Sequence, residues 1–167
     1  ILEKICKEKK LEIVKLKNLI DYKDKIAIKK RRGFIESLIK KNDENFNLIA
    51  EIKRFSPSKG EIRKKFNLNQ IAMDYEKAGA SCLSILTEKN YFKGNIEYLD
   101  KVREIVNIPL LRKDFIIDDW QIYESYYFGA DCILLILAIL DDKDAKKFYD
   151  KAKELDLDVI VEVHDDI

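Results

Sequence analysis

Residues 48–60 read LIAEIKRFSPSKG, and the reading of this stretch decides the fold. Leu48, Ile49, Ala50 and Ile52 make its first half apolar, as in a strand entering a core. Glu51 and Lys53 interrupt the run two positions apart, and SPSKG follows as turn-forming sequence. Side chains alternate along a strand, so this carboxylate and this ammonium share a face, about 6–7 Å apart along the chain. The apolar part comes first, which places the charges toward the carboxyl end. Burying either charge alone is costly. Such a strand calls for neighbours that bring charge to the same end.

The rest of the chain repeats the pattern. Strand-like runs occur at 47–53 (NLIAEIK), 81–86 (SCLSIL), 108–114 (IPLLRKD), 131–137 (DCILLIL) and 158–163 (DVIVEV), starting at intervals of 23 to 34 residues. Amphipathic helices lie between them. Asn67 or Asn69, Asn95, Asp118 or Asp119, and Asp141 or Asp142 serve as N-cap candidates, and Gly79 and Gly129 mark two helix ends. Strand–helix–strand at this spacing predicts parallel strands joined by right-handed crossovers. The near-continuous apolar run at 132–137 agrees, because parallel strands are covered on both faces. An open doubly wound sheet and a TIM barrel both fit. No glycine-rich nucleotide fingerprint follows the first strand. In a barrel, active sites sit at the carboxyl ends of the strands. There PLLRKDF presents Lys113 and VIVEVHD presents Glu162, so three strands bring Glu51, Lys53, Lys113 and Glu162 to one rim. Opposite charges gathered there shift one another's proton affinity, which suits proton transfer near neutral pH.

Composition narrows the classes. Of 167 residues, 47% are hydrophobic and 38% charged, enough for one core-forming domain, and a net charge of +1 argues against a nucleic-acid binder. Residues 1–41 are locally basic, read as solvated helical faces. Their apolar positions Ile1, Leu2, Ile5, Leu11, Val14 and Leu19 predict an opening helix, and a shorter one follows Gly33. The organisation read is a helical extension over 1–46 and strands one to five of a barrel over 47–167, together one domain. Cys6, Cys82 and Cys132 have neither zinc nor disulfide spacing; the last two read as core residues, with a reducing, cytoplasmic setting expected. The longest apolar run, 132–140, falls short of the ~18 residues of a membrane span, so no membrane partner is expected.

The segments IAEIKRFSPSKG, SILTEKNYFKGNIEYL, IPLLRKDFIIDDWQIYES, GADCILLILAIL and LDVIVEVHD, in this order, resemble indole-3-glycerol phosphate synthase, and RRGFIESLI resembles that family's N-terminal extension. The resemblance implies a TIM (βα)8 barrel and a lyase of tryptophan biosynthesis. That lyase converts 1-(2-carboxyphenylamino)-1-deoxyribulose 5-phosphate to indole-3-glycerol phosphate with loss of carbon dioxide and water, without metal or organic cofactor. It implies Lys113 as general acid in ring closure and Glu162 in proton transfer during dehydration. Lys53 would orient the substrate and donate a later proton, with Glu51 holding Lys53. Ser56 and Ser58 would contact substrate from a mobile loop. Phe92, Phe115 and Leu135 would wall its aromatic half. His164 is given no catalytic role, and Trp120 is read as packing.

The given sequence reaches the fifth strand, whereas a barrel takes eight units and typically ~250 residues. In the family the remaining units supply an Asn and an Arg, a Glu-Ser pair and a Gly-rich phosphate site. The 167 residues alone are therefore expected to be inactive, and their unpaired strand edges to favour self-association. Two other readings stay open: another phosphate-binding barrel such as phosphoribosylanthranilate isomerase, and an inactive half-barrel interaction module. Association with, or fusion to, other tryptophan-pathway enzymes is also open.

Overall fold

The computed structural model describes residues 2–25, 30–40 and 46–164. Five strands form one parallel sheet: β1 (Ile49–Ile52), β4 (Cys82–Leu86), β5 (Leu110–Lys113), β6 (Cys132–Ile136) and β7 (Asp158–Glu162). Each matches a predicted run, with frayed ends trimmed. Between β1 and the next helix, β2 (Phe55–Ser56) and β3 (Gly60–Glu61) make a small antiparallel ribbon. The crossover helices are α3 (Leu68–Lys77), α4 (Glu97–Arg103), α5 (Trp120–Tyr127) and α6 (Asp142–Glu154).

The sheet order β1-β4-β5-β6-β7 follows the chain without reversal. The register aligns Ala50 with Leu83, Leu83 with Leu110, Arg112 with Ile133 and Ile133 with Val159, so these residues share a face. All four crossover helices cover that face. Ala50, Ile52, Leu83, Ile85 and Leu110 pack against Ile71 and Ala72 of α3 and Leu99 and Val102 of α4. Ile133 and Leu135 pack against Ile122 and Tyr126 of α5 and Phe148 and Ala152 of α6. A doubly wound sheet reverses its strand order and carries helices on both faces. Sequential order with helices on one face is the arrangement of a barrel wall.

The opposite face holds a smaller cluster, Cys82, Leu111, Cys132, Leu134 and Ile136 around Phe34, which is fully buried. Phe34 opens α2 (Phe34–Ile39), the short helix expected after Gly33. Asp158, at the start of β7, accepts the N–H groups of Phe34 and Ile35 at 2.9 and 3.0 Å. This carboxylate satisfies two otherwise orphan donors and holds α2 against the amino ends of the strands. Cys82 and Cys132 are core residues, as expected. Burial pushes the Cys82 thiol up to about 12 and raises that of Cys132 as well.

Two caps close as expected: Asn67 accepts from Gln70 N–H at 3.1 Å and Asp141 from Asp144 N–H at 2.7 Å. Asp119 takes the cap position of α5 without a side-chain bond, while Asp118 accepts Trp120 N–H at 2.8 Å. The Asn95 reading is corrected: Ile96 holds the cap position of α4, and Asn95, one residue earlier, accepts Glu97 N–H at 2.9 Å. Gly79 and Gly129 end their helices at φ +90° and +84°.

The opening helix α1 (Leu2–Lys17) forms, but on a different face from the one its apolar residues suggest. Leu11 and Val14 are exposed, and Leu19, just past the helix, is more so. The buried stripe is Ile5, Lys9 and Ile13, spaced by four. A lysine at its centre hides the stripe from an apolar count. Ile1 lies outside the described residues.

Candidate active site

The strand pleat that buries Ala50 and Ile52 against helices turns Glu51 and Lys53 to the other face, at its carboxyl end. Lys113 ends β5 and stands beside Leu86 of β4; Glu162 ends β7 and stands beside Ile136 of β6. Together with Leu134, Phe92 and Phe115 they line one cavity of about 330 Å³. Glu51 and Lys53 form an ion pair. Lys113 Nζ lies 3.6 Å from Glu162 Oε2. All four charged side chains are about one-third exposed, from 29% for Glu162 to 35% for Lys113. Pairs this wet add little stability, and an entering ligand can reach them. The Phe92 and Phe115 rings stand 6.2 Å apart, centroid to centroid, and supply an apolar wall.

Ser56 and Ser58 line an adjoining cavity of about 620 Å³, shared with Lys53, Lys59 and Phe92. Ser56 is buried and its Oγ accepts Lys59 N–H at 3.2 Å, closing the turn between β2 and β3. Ser58 is exposed.

Leu135 must be corrected. It is almost fully buried on the helix-covered face, packed among Ile122, Phe148 and Leu157, and does not line the cavity. Period-two alternation gives the cavity its neighbours Leu134 and Ile136 instead. In an unbroken apolar run, nothing in the sequence distinguishes the two faces.

The structure adds residues that the motif reading passed over. Glu88, 1% exposed, lines the main cavity and accepts the N–H groups of Asn90, Tyr91 and Phe92 at 2.9, 2.7 and 3.0 Å, which sets the loop that carries Phe92. His164 Nε2 lies 2.7 Å from Glu162 Oε1, so this His meets the rim although no role was assigned to it.

A buried charge cluster lies behind β5. Arg112 donates to Gln121 O at 2.9 Å and to Ser125 Oγ at 3.0 Å, and pairs with Asp114 at 3.1 Å and Glu124 at 2.8 Å. Asp114 also accepts the Thr87 hydroxyl at 2.6 Å and Phe115 N–H at 2.9 Å, and meets Lys9 of α1 at 3.3 Å. Burial alone would push the Asp114 carboxyl up. Arg112 and Lys9, helped by the Thr87 and Phe115 donors, outweigh burial and hold it below the ordinary carboxylate range. Burial keeps Glu124 above its ordinary range despite Arg112. Both cations gain proton affinity in spite of burial, Arg112 from Glu124 and Asp114, Lys9 from Asp114 and Glu12.

Comparison with known proteins places the chain in a family. Residues 2–167 match the family described as "Indole-3-glycerol phosphate synthase". The chain is 49% identical to an indole-3-glycerol phosphate synthase of Caldanaerobacter subterraneus subsp. tengcongensis, over 99% of this chain and 64% of that protein. It is 46% identical to the Clostridium acetobutylicum protein of the same name, over 99% and 64%, and 42% identical to that of Aliarcobacter butzleri, over 99% and 65%. The chain thus spans just under two-thirds of the length of these relatives. With sequential parallel strands, helices on one face and Lys and Glu at the carboxyl rim, it belongs to the indole-3-glycerol phosphate synthase family and carries five consecutive strands of a TIM-barrel wall.

Proposed function

We propose that this chain carries the acid–base centre of a carboxy-lyase that closes the indole ring of 1-(2-carboxyphenylamino)-1-deoxyribulose 5-phosphate. The observation that supports it is one cavity bounded by Lys53, Lys113, Glu51 and Glu162 from three strands, facing a phenylalanine pair. The anthraniloyl ring packs on Phe92 and Phe115. As the ring carbon bearing the carboxylate bonds to the ribulose carbonyl carbon, the carbonyl oxygen gains negative charge. The Lys113 ammonium stabilises that charge and donates the proton. Loss of carbon dioxide returns the electron pair to the ring. Dehydration then needs an acid for the departing hydroxyl, supplied by Lys53, and a base for the adjacent carbon's proton, supplied by Glu162. Glu51 keeps Lys53 in place. Ser56 and Ser58 offer hydroxyls to the polar arm of the substrate from the adjoining cavity.

The test adds substrate to the chain at its full natural length and follows indole fluorescence. Turnover is expected, and Lys113→Ala should lower it by about 10²-fold or more, the scale of a lost general acid. No growth of fluorescence in the unsubstituted protein would overturn the proposal in favour of a non-catalytic module.

A further inference from the structure

β5 ends at Lys113, yet two cavity-lining residues, Lys113 and Phe115, flank the point where the chain leaves the sheet. Beyond the ladder, the backbone is held by Thr87 N–H on Lys113 C=O at 3.1 Å and by the side chain of Asp114, which accepts Phe115 N–H. Asp114 is 4% exposed and borders two cavities. One is the site. The other, of about 300 Å³, lies under α1 and is lined by Lys9, Glu12, Arg112 and Glu124. Its carboxylate is gripped from three elements: Lys9 of α1, Arg112 of β5 and Thr87 just after β4. Buried ion clusters are weak sources of stability, and well-packed apolar residues often do as well. Such a cluster one residue from the candidate acid is better explained by what it fixes.

We infer that Asp114 is a positioning residue, and that the grip of Lys9, Arg112 and Thr87 on its carboxylate fixes the turn presenting Lys113 and Phe115, tying α1 to the site. The inference rests on the acid–base reading for its kinetic arm only. Asp114→Asn keeps the shape and the bond to Phe115 N–H while losing the charge that Lys9 and Arg112 hold. In the protein at full natural length, kcat should fall about tenfold or more with KM changed less than about twofold, the signature of a displaced acid rather than lost binding. Lys9→Met should lower kcat in the same way, because it keeps the length of the side chain and removes the charge that meets Asp114 at 3.3 Å. These values are read well below the melting temperature, where a merely structural role leaves kcat per folded molecule unchanged.

A second arm needs no turnover: competitive labelling by an amine reagent, with Lys146, whose side chain is 77% exposed, as internal standard. Labelling of Lys113 relative to Lys146 should rise several-fold in Asp114→Asn and in Lys9→Met. An inactive parent protein would defeat the functional reading alone, and labelling would still decide this one. If Asp114→Asn does not fold, Lys9→Met carries both arms. Unchanged kcat in an active protein, or unchanged Lys113 labelling, overturns the inference.

Discussion

Gly94 has no room for a side chain. A Cβ there would lie 2.3 Å from Leu86 O and 2.9 Å from Glu88 O, while its N–H already donates to Glu88 O at 2.8 Å. Backbone atoms cannot yield as a flexible side chain does. Gly94→Ala is therefore expected to push the 88–94 turn off the end of β4, displacing Glu88 and Phe92. It should cost about 1–3 kcal/mol of stability, read from the urea midpoint. Asp114 predicts a pH effect. Its folded proton affinity is depressed, so its contribution is complete above the unfolded value of about 3.9 and is lost as pH falls through the lower folded value. Glu124, held raised, contributes in the opposite sense on acidification. The expected result is that Tm drops less between pH 4 and pH 2 in Asp114→Asn than in the parent. Thermal melts across that range check it. The thiols differ as sharply: buried Cys82 and Cys132 should stay unlabelled by a thiol reagent until unfolding, leaving half-buried Cys6 the only native-state target of the three.

Among the elements, α2 bears most on the interior. Phe34 fills the space within the strand cluster, and truncation leaves a cavity that the surrounding Cys82, Leu111 and Cys132 cannot close. Phe34→Ala is expected to cost about 3–5 kcal/mol, measured by denaturant unfolding. The strands and crossover helices were legible because their signals are local: apolar runs, Asn and Asp caps, and glycine stops. Glu51, Lys53, Lys113 and Glu162 stood out because a charge in an apolar strand needs an explanation. Other features were not local. Lys9 is buried only because Asp114 is there to receive it, more than a hundred positions later, so α1 showed the wrong face. Leu135 and Leu134 differ by one step of the pleat, and the identity of the covered face is decided by the helices. Glu88 sits in a loop, where polarity attracts no notice, and its importance lies in three backbone donors.

For the molecule as a whole, the sheet has two flanks. Among the described residues, β1 pairs only with β4 and β7 only with β6, and Val161, Val163 and Leu137 are exposed near the second flank. Unpaired backbone beside apolar side chains is a template for further pairing. The 167-residue chain should therefore sediment as a concentration-dependent mixture. A single monomeric boundary with cooperative unfolding would contradict this.

Because each strand of the main sheet pairs with the one before it in the chain, assembly has a natural direction. A nascent polypeptide can add one strand and one helix at a time as it leaves the ribosome, using short loop closures throughout. The clasp of Asp158 on Phe34 and Ile35 is different, since it joins segments about 124 positions apart. It can close only after the fifth strand emerges, so α2 is latched onto the strand ends later than the first four strands pair with one another.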